Sequence, residues 1–196
     1  MMHIKERKVI LKKLFNNKTL ILVIIIAIAF VIINSTNIQK LIQKKTYPKK
    51  YSYEVEKYAK EYNVDQNLIY AVIKAESNFK EKAVSRKNAM GLMQLMQDTA
   101  REIANMIGIE INEELLLEPD TNINLGTKYL SILLGKYGNV EVAVSAYNAG
   151  SGNVDNWITE GIIQADGSDI ENVPFKETNN YVRKILRNYK IYSNLR

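Results

Sequence analysis

The chain has no cysteine and a single histidine, His3, near its start. Disulfide frameworks, cysteine nucleophiles and histidine-based zinc or triad chemistry are therefore excluded. Lack of cysteine leaves the compartment open, since disulfides are permitted outside the cytosol and not required there. Glycine and proline are scarce, 9 and 3 in 196 residues, which excludes collagen-like and low-complexity chains. A content of 46% apolar residues argues against a disordered chain. Any reaction must run on carboxylates, hydroxyls, amides or lysines.

The net charge of +6 is unevenly distributed. Of the 27 Lys and Arg residues, six fall in 1–18 against one acid, Glu6, and five more in 40–50 against none. Residues 51–196 then hold 16 basic and 20 acidic residues, a net of −4. The basicity belongs to the flanks of an apolar segment, and a basic groove for nucleic acid is not expected.

That segment, residues 20–33 (LILVIIIAIAFVII), is apolar throughout, and no charge occurs between Lys18 and Lys40. A bilayer core takes about 20 helical residues, so the 14-residue run spans only if Thr19 and the neutral residues 34–39 contribute. A cleaved signal peptide is the alternative, but no A-x-A-like site follows the run; Ala27 and Ala29 lie in its middle. The expectation is a basic cytoplasmic tail over 1–18, a transmembrane anchor over 19–39 and a basic linker over 40–52. Six and five basic residues on the two sides leave orientation unsettled by charge. The linker lysines read as a solvated juxtamembrane stretch, with anionic headgroups or wall polymers as alternative contacts.

From Tyr51 onward there are 146 residues, one domain's worth. Strand signals are scarce and helical periodicity is frequent, so an all-α domain is expected. Helices are predicted over 51–63, over a segment capped by Asp65 with Leu68, Ile69, Val72 and Ile73 on one face, and over 98–107 ended by Gly108. Further helices are predicted over 122–136, with Ile123, Leu130, Leu133 and Leu134 inward, over 140–148 and over 177–192. Residues 161–173 read as a loop.

Glu76 lies four residues after Val72, three after Ile73 and seven after Ile69, so it emerges on the apolar face of its helix. Asn78 is a plausible stop, which places the carboxyl at a helix C-terminal end. Partial burial and the negative end of the helix dipole both disfavour its charged form and push the pKa up. A carboxyl protonated near neutral pH suits a general acid for a glycosidic oxygen. The alternative is a structural glutamate satisfied by a nearby Lys or Arg. Ordinary glycosidases need a second carboxylate about 5–9.5 Å away. None is obvious: Glu81 and Asp98 fall in solvated segments, and Glu177 heads the last helix, where the dipole alone would explain it. With one carboxylate, the substrate itself must supply the nucleophile.

Two clusters remain. MGLMQLM at 90–96 reads alone as a methionine-rich core turn. AYNAGSG at 146–152 reads alone as a helix C-cap with a buried tyrosine. In order with the rest they carry more. ESNF at 76–79, AVS at 83–85 and GLMQLM at 91–96 with Thr99 and Ala100 resemble the first half of the lytic transglycosylase catalytic domain. Asn122 and Ile123 followed by Gly126, Tyr129 and Leu130 look like its central helix. AYNAG at 146–150 with Gly152 and Val154, then Pro174, Glu177, Thr178, Tyr181 and Val182, are similar to its later motifs. The resemblance covers about residues 53–192. It implies the all-α, lysozyme-like fold of the soluble lytic transglycosylase (SLT) family, related to goose-type lysozymes, over 53–196.

By that resemblance Glu76 is the sole catalytic acid/base, and Ser85 offers a hydroxyl that orients the substrate or the acid. Gln94 and Met96 contact the sugar's N-acetyl group and rings. Tyr147 supports the catalytic carboxyl, with Asn148 beside it in the substrate groove, and Glu177 binds glycan or peptide-stem groups. Three positions depart from the pattern. Gln97 replaces a usual proline, implying a looser turn. Asn88 replaces a usual glycine, which its tolerance of left-handed backbone permits. Phe175 replaces a common tyrosine and loses a groove hydroxyl.

The implied activity is cleavage of the MurNAc–GlcNAc β-1,4 bond of peptidoglycan with 1,6-anhydroMurNAc formation. It needs no metal or cofactor. The implied partners are glycan strands and, through the N-terminal helix, a membrane. Such a substrate puts the domain outside the cytoplasm, tethered to the cell membrane or secreted if the N-terminal segment is cleaved. A hydrolytic muramidase of the same fold and a non-catalytic wall-binding module are the competing functions.

Overall fold

A computed structural model describes residues 17–195, and the chain divides into two units after Pro48. Among the described residues of the first, one helix, α1 (Asn17–Thr46), carries the apolar run with its described side chains exposed. Among the described residues no helix is long and apolar enough to cross a membrane. The basic tail expected over 1–18 lies, up to residue 16, outside the described residues.

The second unit is helical: α2 (Ser52–Tyr62), α3 (Gln66–Glu76), α4 (Gln97–Ile107), α5 (Glu113–Leu116), α6 (Pro119–Tyr137), α7 (Val140–Ala149), α8 (Ser151–Thr159) and α9 (Lys176–Asn194), with a 3-10 turn at Ile170–Asn172. Among the described residues the only extended pairings are isolated bridges, Val84 with Met90 and Met90 with Leu95.

Local chemistry sets the helix ends. Asp65 accepts a hydrogen bond from the Asn67 N–H at 2.8 Å and caps α3. Leu68 through Ile73 are then all buried, Tyr70 and Ala71 included. A helix apolar on nearly every side belongs in the interior, and α3 packs against α9 and α2. Gly108, at φ 73, ends α4 through hydrogen bonds to Ala104 and Asn105. Pro119 occupies the first turn of α6, where its missing N–H costs nothing, so the helix starts earlier than its apolar period suggests.

α6 is the spine, in contact with α2, α4, α5 and α7. Asn122 on its first turns is fully buried. Its Oδ1 accepts from the Met93 N–H at 2.7 Å, and its Nδ2 donates to the carbonyls of Met90 and Leu116 at 3.1 and 2.8 Å. One amide thus ties the methionine-rich turn to α5 and α6. Gly91, at φ 79, must be glycine for this: a Cβ there would lie 2.2 Å from Asn122 Nδ2. Met90 and Met93 are buried while Met96 is 47% exposed, so the cluster serves both core and surface.

Two helices escape the sequence period. α5 has four residues, too few to show one, and is capped by Asn112 accepting from the Leu115 N–H at 2.8 Å. α8 follows Gly150 directly and is held by the burial of Val154 and Trp157. Residues 161–173 are mainly turns, anchored by buried Ile163 and Val173 in the cluster around Trp157.

Candidate active site

Glu76 is the last residue of α3. The chain leaves the helix abruptly: Ser77 Oγ donates to the Ile73 carbonyl at 3.2 Å and accepts from the Phe79 N–H at 3.1 Å. Asn78 and Phe79 both adopt left-handed backbone, at φ 51 and 64. Two consecutive non-glycine residues there are costly, and such strain concentrates at functional sites. Buried Phe79, packed by the Tyr70 ring at 6.4 Å, compensates.

Three helix ends meet at this carboxyl because α9 packs on both α3 and α7. A cavity of about 430 Å³ is lined by Glu76, Ser85, Arg86, Lys87, Ala89, Gln94, Met96, Tyr147, Asn148 and Glu177. Every site residue expected from the sequence borders it. Burial pushes the Glu76 carboxyl from 4.5 up to about 7; the Tyr181 hydrogen bond and the Lys184 charge pull the other way, and Glu177 adds slightly to the rise. The carboxyl is thus about half protonated at neutral pH.

The hydroxyl on the acid belongs to Tyr181, which donates to Glu76 Oε1 at 2.7 Å. The Tyr147 hydroxyl, expected to support the carboxyl, donates to the Met93 carbonyl at 2.9 Å. Tyr147 bridges the floor of the cavity to the methionine-rich turn, its ring 5.1 Å from that of Tyr129. Burial drives both hydroxyls well above the usual tyrosine range, so both remain donors. Tyr181 lies four residues after Glu177, one turn along the same helix face. That spacing was the available signal for it.

Ser85 organises its own loop. Its Oγ accepts from the N–H groups of Lys87 and Ala89 at 3.2 and 2.9 Å, leaving the hydroxyl proton to donate elsewhere. Asn88 is left-handed at φ 62, as its polar side chain tolerates. Gln94, at φ 49, spends its amide Nε2 on the carbonyls of Ala83 and Gly91 at 3.0 and 2.8 Å, so its Oε1 remains an acceptor. Asn148 Oδ1 accepts from Thr178 Oγ1 at 2.8 Å, joining α7 to α9.

Glu177 is the other carboxylate on the cavity wall. It is 75% exposed and pairs with Lys87 at 3.8 Å, an environment unlike that of Glu76. Among the described residues no three His, Cys, Asp or Glu side chains are grouped to hold a metal ion. Gln97 does not loosen its turn: it begins α4, and its Nε2 donates to Glu113 Oε1 at 2.8 Å while its Oε1 accepts from Arg101 at 3.1 Å. Phe175 sets its ring edge-on to Trp157 at 5.0 Å and does not line the cavity.

The protein-family model described as Transglycosylase SLT domain matches residues 54–166. The soluble lytic murein transglycosylase of Salmonella typhimurium is 35% identical over 147 residues, 73% of this chain and 23% of that protein. The membrane-bound lytic murein transglycosylase C of Yersinia pestis is 40% identical over 116 residues, 54% of this chain and 32% of that protein. A crystal structure of an inactive Glu-to-Gln mutant of lytic transglycosylase Slt from Pseudomonas aeruginosa superposes with a TM-score of 0.70 at 36% identity, covering 75% of this chain and 24% of that one. The chain therefore spans about a quarter of the length of the soluble relatives it matches. The helical, lysozyme-like architecture and a family match over more than half its length agree: this chain belongs to the transglycosylase SLT domain family.

Proposed function

We propose that this chain is a peptidoglycan lytic transglycosylase working through one carboxyl. Glu76 in its protonated form donates to the glycosidic oxygen between MurNAc and GlcNAc, and the leaving GlcNAc 4-hydroxyl keeps that proton. The positive charge developing at MurNAc C1 is stabilised by the N-acetyl oxygen or by local dipoles. Glu76, now a carboxylate, takes the proton of the MurNAc C6 hydroxyl as its oxygen bonds C1. The product is a 1,6-anhydro sugar, and the acid is regenerated.

The observation that carries this reading is the setting of Glu76: a carboxyl at about 7 on the wall of a cavity, held by Tyr181. A pKa near ambient pH suits a group that must give and then receive a proton. Glu177, solvated and paired with Lys87, is not prepared to act as a desolvated nucleophile. Gln94, a cavity-wall residue whose Nε2 is held by backbone carbonyls, keeps Oε1 available to accept from an N-acetyl N–H, and the exposed Met96 offers a sugar ring an apolar platform. Substrate topology then orients the chain: residues 19–39 anchor it in the cell membrane, 1–18 face the cytoplasm, 40–52 form the linker, and 53–196 act on the wall outside. That the Yersinia pestis relative is named membrane-bound supports a tethered form.

Mass analysis of fragments released from purified peptidoglycan tests the chemistry, because an anhydro end lacks one water. Anhydro-MurNAc ends are expected. Reducing MurNAc ends alone would assign a hydrolytic muramidase instead, and equal wall clearance by Glu76→Gln and wild type would remove Glu76 from catalysis.

A further inference from the structure

Glu76 ends α3 at a strained exit, with Asn78 and Phe79 both left-handed. Such backbone persists only where its surroundings hold it. Phe79 is held by burial, but the helix end also needs partners, because the last carbonyls of a helix have no following turn to bond them. Two lysines supply them. Lys74 Nζ donates to Asn78 Oδ1, and Lys184 Nζ reaches across from α9 to the carbonyl of Ala75, the residue just before the acid. The proposed reaction uses neither.

Lys184 follows Tyr181 by three residues, on the same face of α9. The two side chains therefore grip the end of α3 together, Tyr181 by the Glu76 carboxyl and Lys184 by the backbone one residue earlier. A cation at a helix C-terminus also opposes the negative end of the dipole, here where the acid sits. Burial raises the Glu76 carboxyl, and the Tyr181 hydrogen bond and then the Lys184 charge oppose that rise. Lys74 is lowered by burial first and by Lys184 second, so two like charges converge on one helix end, each kept there by its own acceptor. Lys184 itself does not line the cavity.

The other groups around Glu76 do not duplicate this contact. α9 also brings Glu177, whose charge adds to the rise. α7 brings Tyr147, which burial keeps protonated and which bonds Met93. Arg86 and Lys87 share the cavity from a separate turn, with Lys87 drawn to Glu177. α2, the other helix packed on α3, directs Glu54 and Glu56 at Tyr70, adding to the rise that burial imposes on that hydroxyl.

We propose that Lys184 is a positioning residue for the acid: its grip on the Ala75 carbonyl fixes the end of α3, and its charge beside Glu76 favours the carboxylate that forms when the proton is given up. This rests on the proposed reaction of Glu76 and adds a residue to it.

The test reads Glu76 in the full-length protein without relying on turnover. Paired urea unfolding of a chain and its Glu76→Gln counterpart across pH gives a stability difference whose upper bend marks the folded pKa of the carboxyl. Lys184→Met and Lys184→Gln remove the charge at an exposed position of α9, where both new residues are good helix formers. The lost cation favoured the carboxylate, so the neutral form should persist to higher pH. The bend is expected to move up by about half to one pH unit, an opposite-charge effect reduced by solvent screening. Lys184→Arg should leave it in place, as should Arg183→Met, which removes a neighbouring exposed cation from the same helix. On peptidoglycan the alkaline limb of kcat/KM should follow the bend, and Lys184→Met should lower kcat about three- to tenfold with KM little changed. An unmoved bend in both neutral variants, an equal shift in Arg183→Met, or a loss confined to KM overturns the role. If the bend moves as stated but no chain, wild type included, yields anhydro ends, the transglycosylase reading fails while the positioning of Glu76 by Lys184 stands.

Discussion

The elevated pKa of Glu76 has a measurable cost in stability. In the folded chain the carboxyl titrates at about 7, against 4.5 when unburied. Between those values the native state holds a proton that the unfolded chain has released, so stability falls as pH rises through this window. Each unit is worth about 1.36 kcal/mol, and the two values together give about 3 kcal/mol, fully expressed above the folded pKa. Glu76→Gln keeps the shape and still offers an oxygen to the Tyr181 hydroxyl, but it cannot titrate. Wild type and variant should therefore have parallel stabilities below about pH 4 and diverge above it, with the variant ahead by about 3 kcal/mol near pH 8. For a domain of this size that is about 6–12 °C in Tm. Urea unfolding of both proteins across the range measures the difference directly, because every other titrating group cancels. Curves that stay parallel throughout would refute the burial of an ionisable carboxyl at this position.

Other expectations concern its neighbours. Loss of the Tyr181 hydroxyl removes a bond that lowers the Glu76 pKa, so Tyr181→Phe should move the alkaline limb of the pH–rate profile upward and reduce kcat about tenfold or more. Tyr147→Phe should leave that limb in place and lower stability by about 1 kcal/mol, the worth of its bond to Met93, read by denaturant titration. Asn122→Ala strands the Met93 N–H and two carbonyls in the interior and should cost about 4 kcal/mol in urea unfolding, with loss of the cooperative transition as the severe outcome. Gly126→Ala puts a Cβ 2.5 Å from Met93 Sδ and 2.8 Å from Met93 Cβ, and should lower stability by about 1–3 kcal/mol by calorimetry.

Glu76 was legible because the apolar period of α3 runs directly into it, and period and burial express the same physics. The Asp65 cap and the Gly108 stop were legible as local hydrogen-bond and backbone preferences. What escaped depends on tertiary contact. Tyr147 and Tyr181 are both motif tyrosines bordering the acid, and only the packing of α9 on α3 determines which hydroxyl reaches the carboxyl. The start of α8 offers Ser151, Gly152 and Asn153, poor helix formers, and its helicity comes from burying Trp157. Gln97 illustrates the reverse: a missing proline suggested slack, while the amide found Glu113 across the turn.

The amide of Asn122 carries a consequence for how this scaffold diversifies. Because a single interior side chain fixes the turn from which Gln94 and Met96 reach the cavity, altering that cavity-facing segment disturbs the molecule's foundations at the same time. The turn at 85–89, by contrast, coheres through its own Ser85 hydroxyl and backbone groups, so a change at its exposed tips leaves the interior undisturbed.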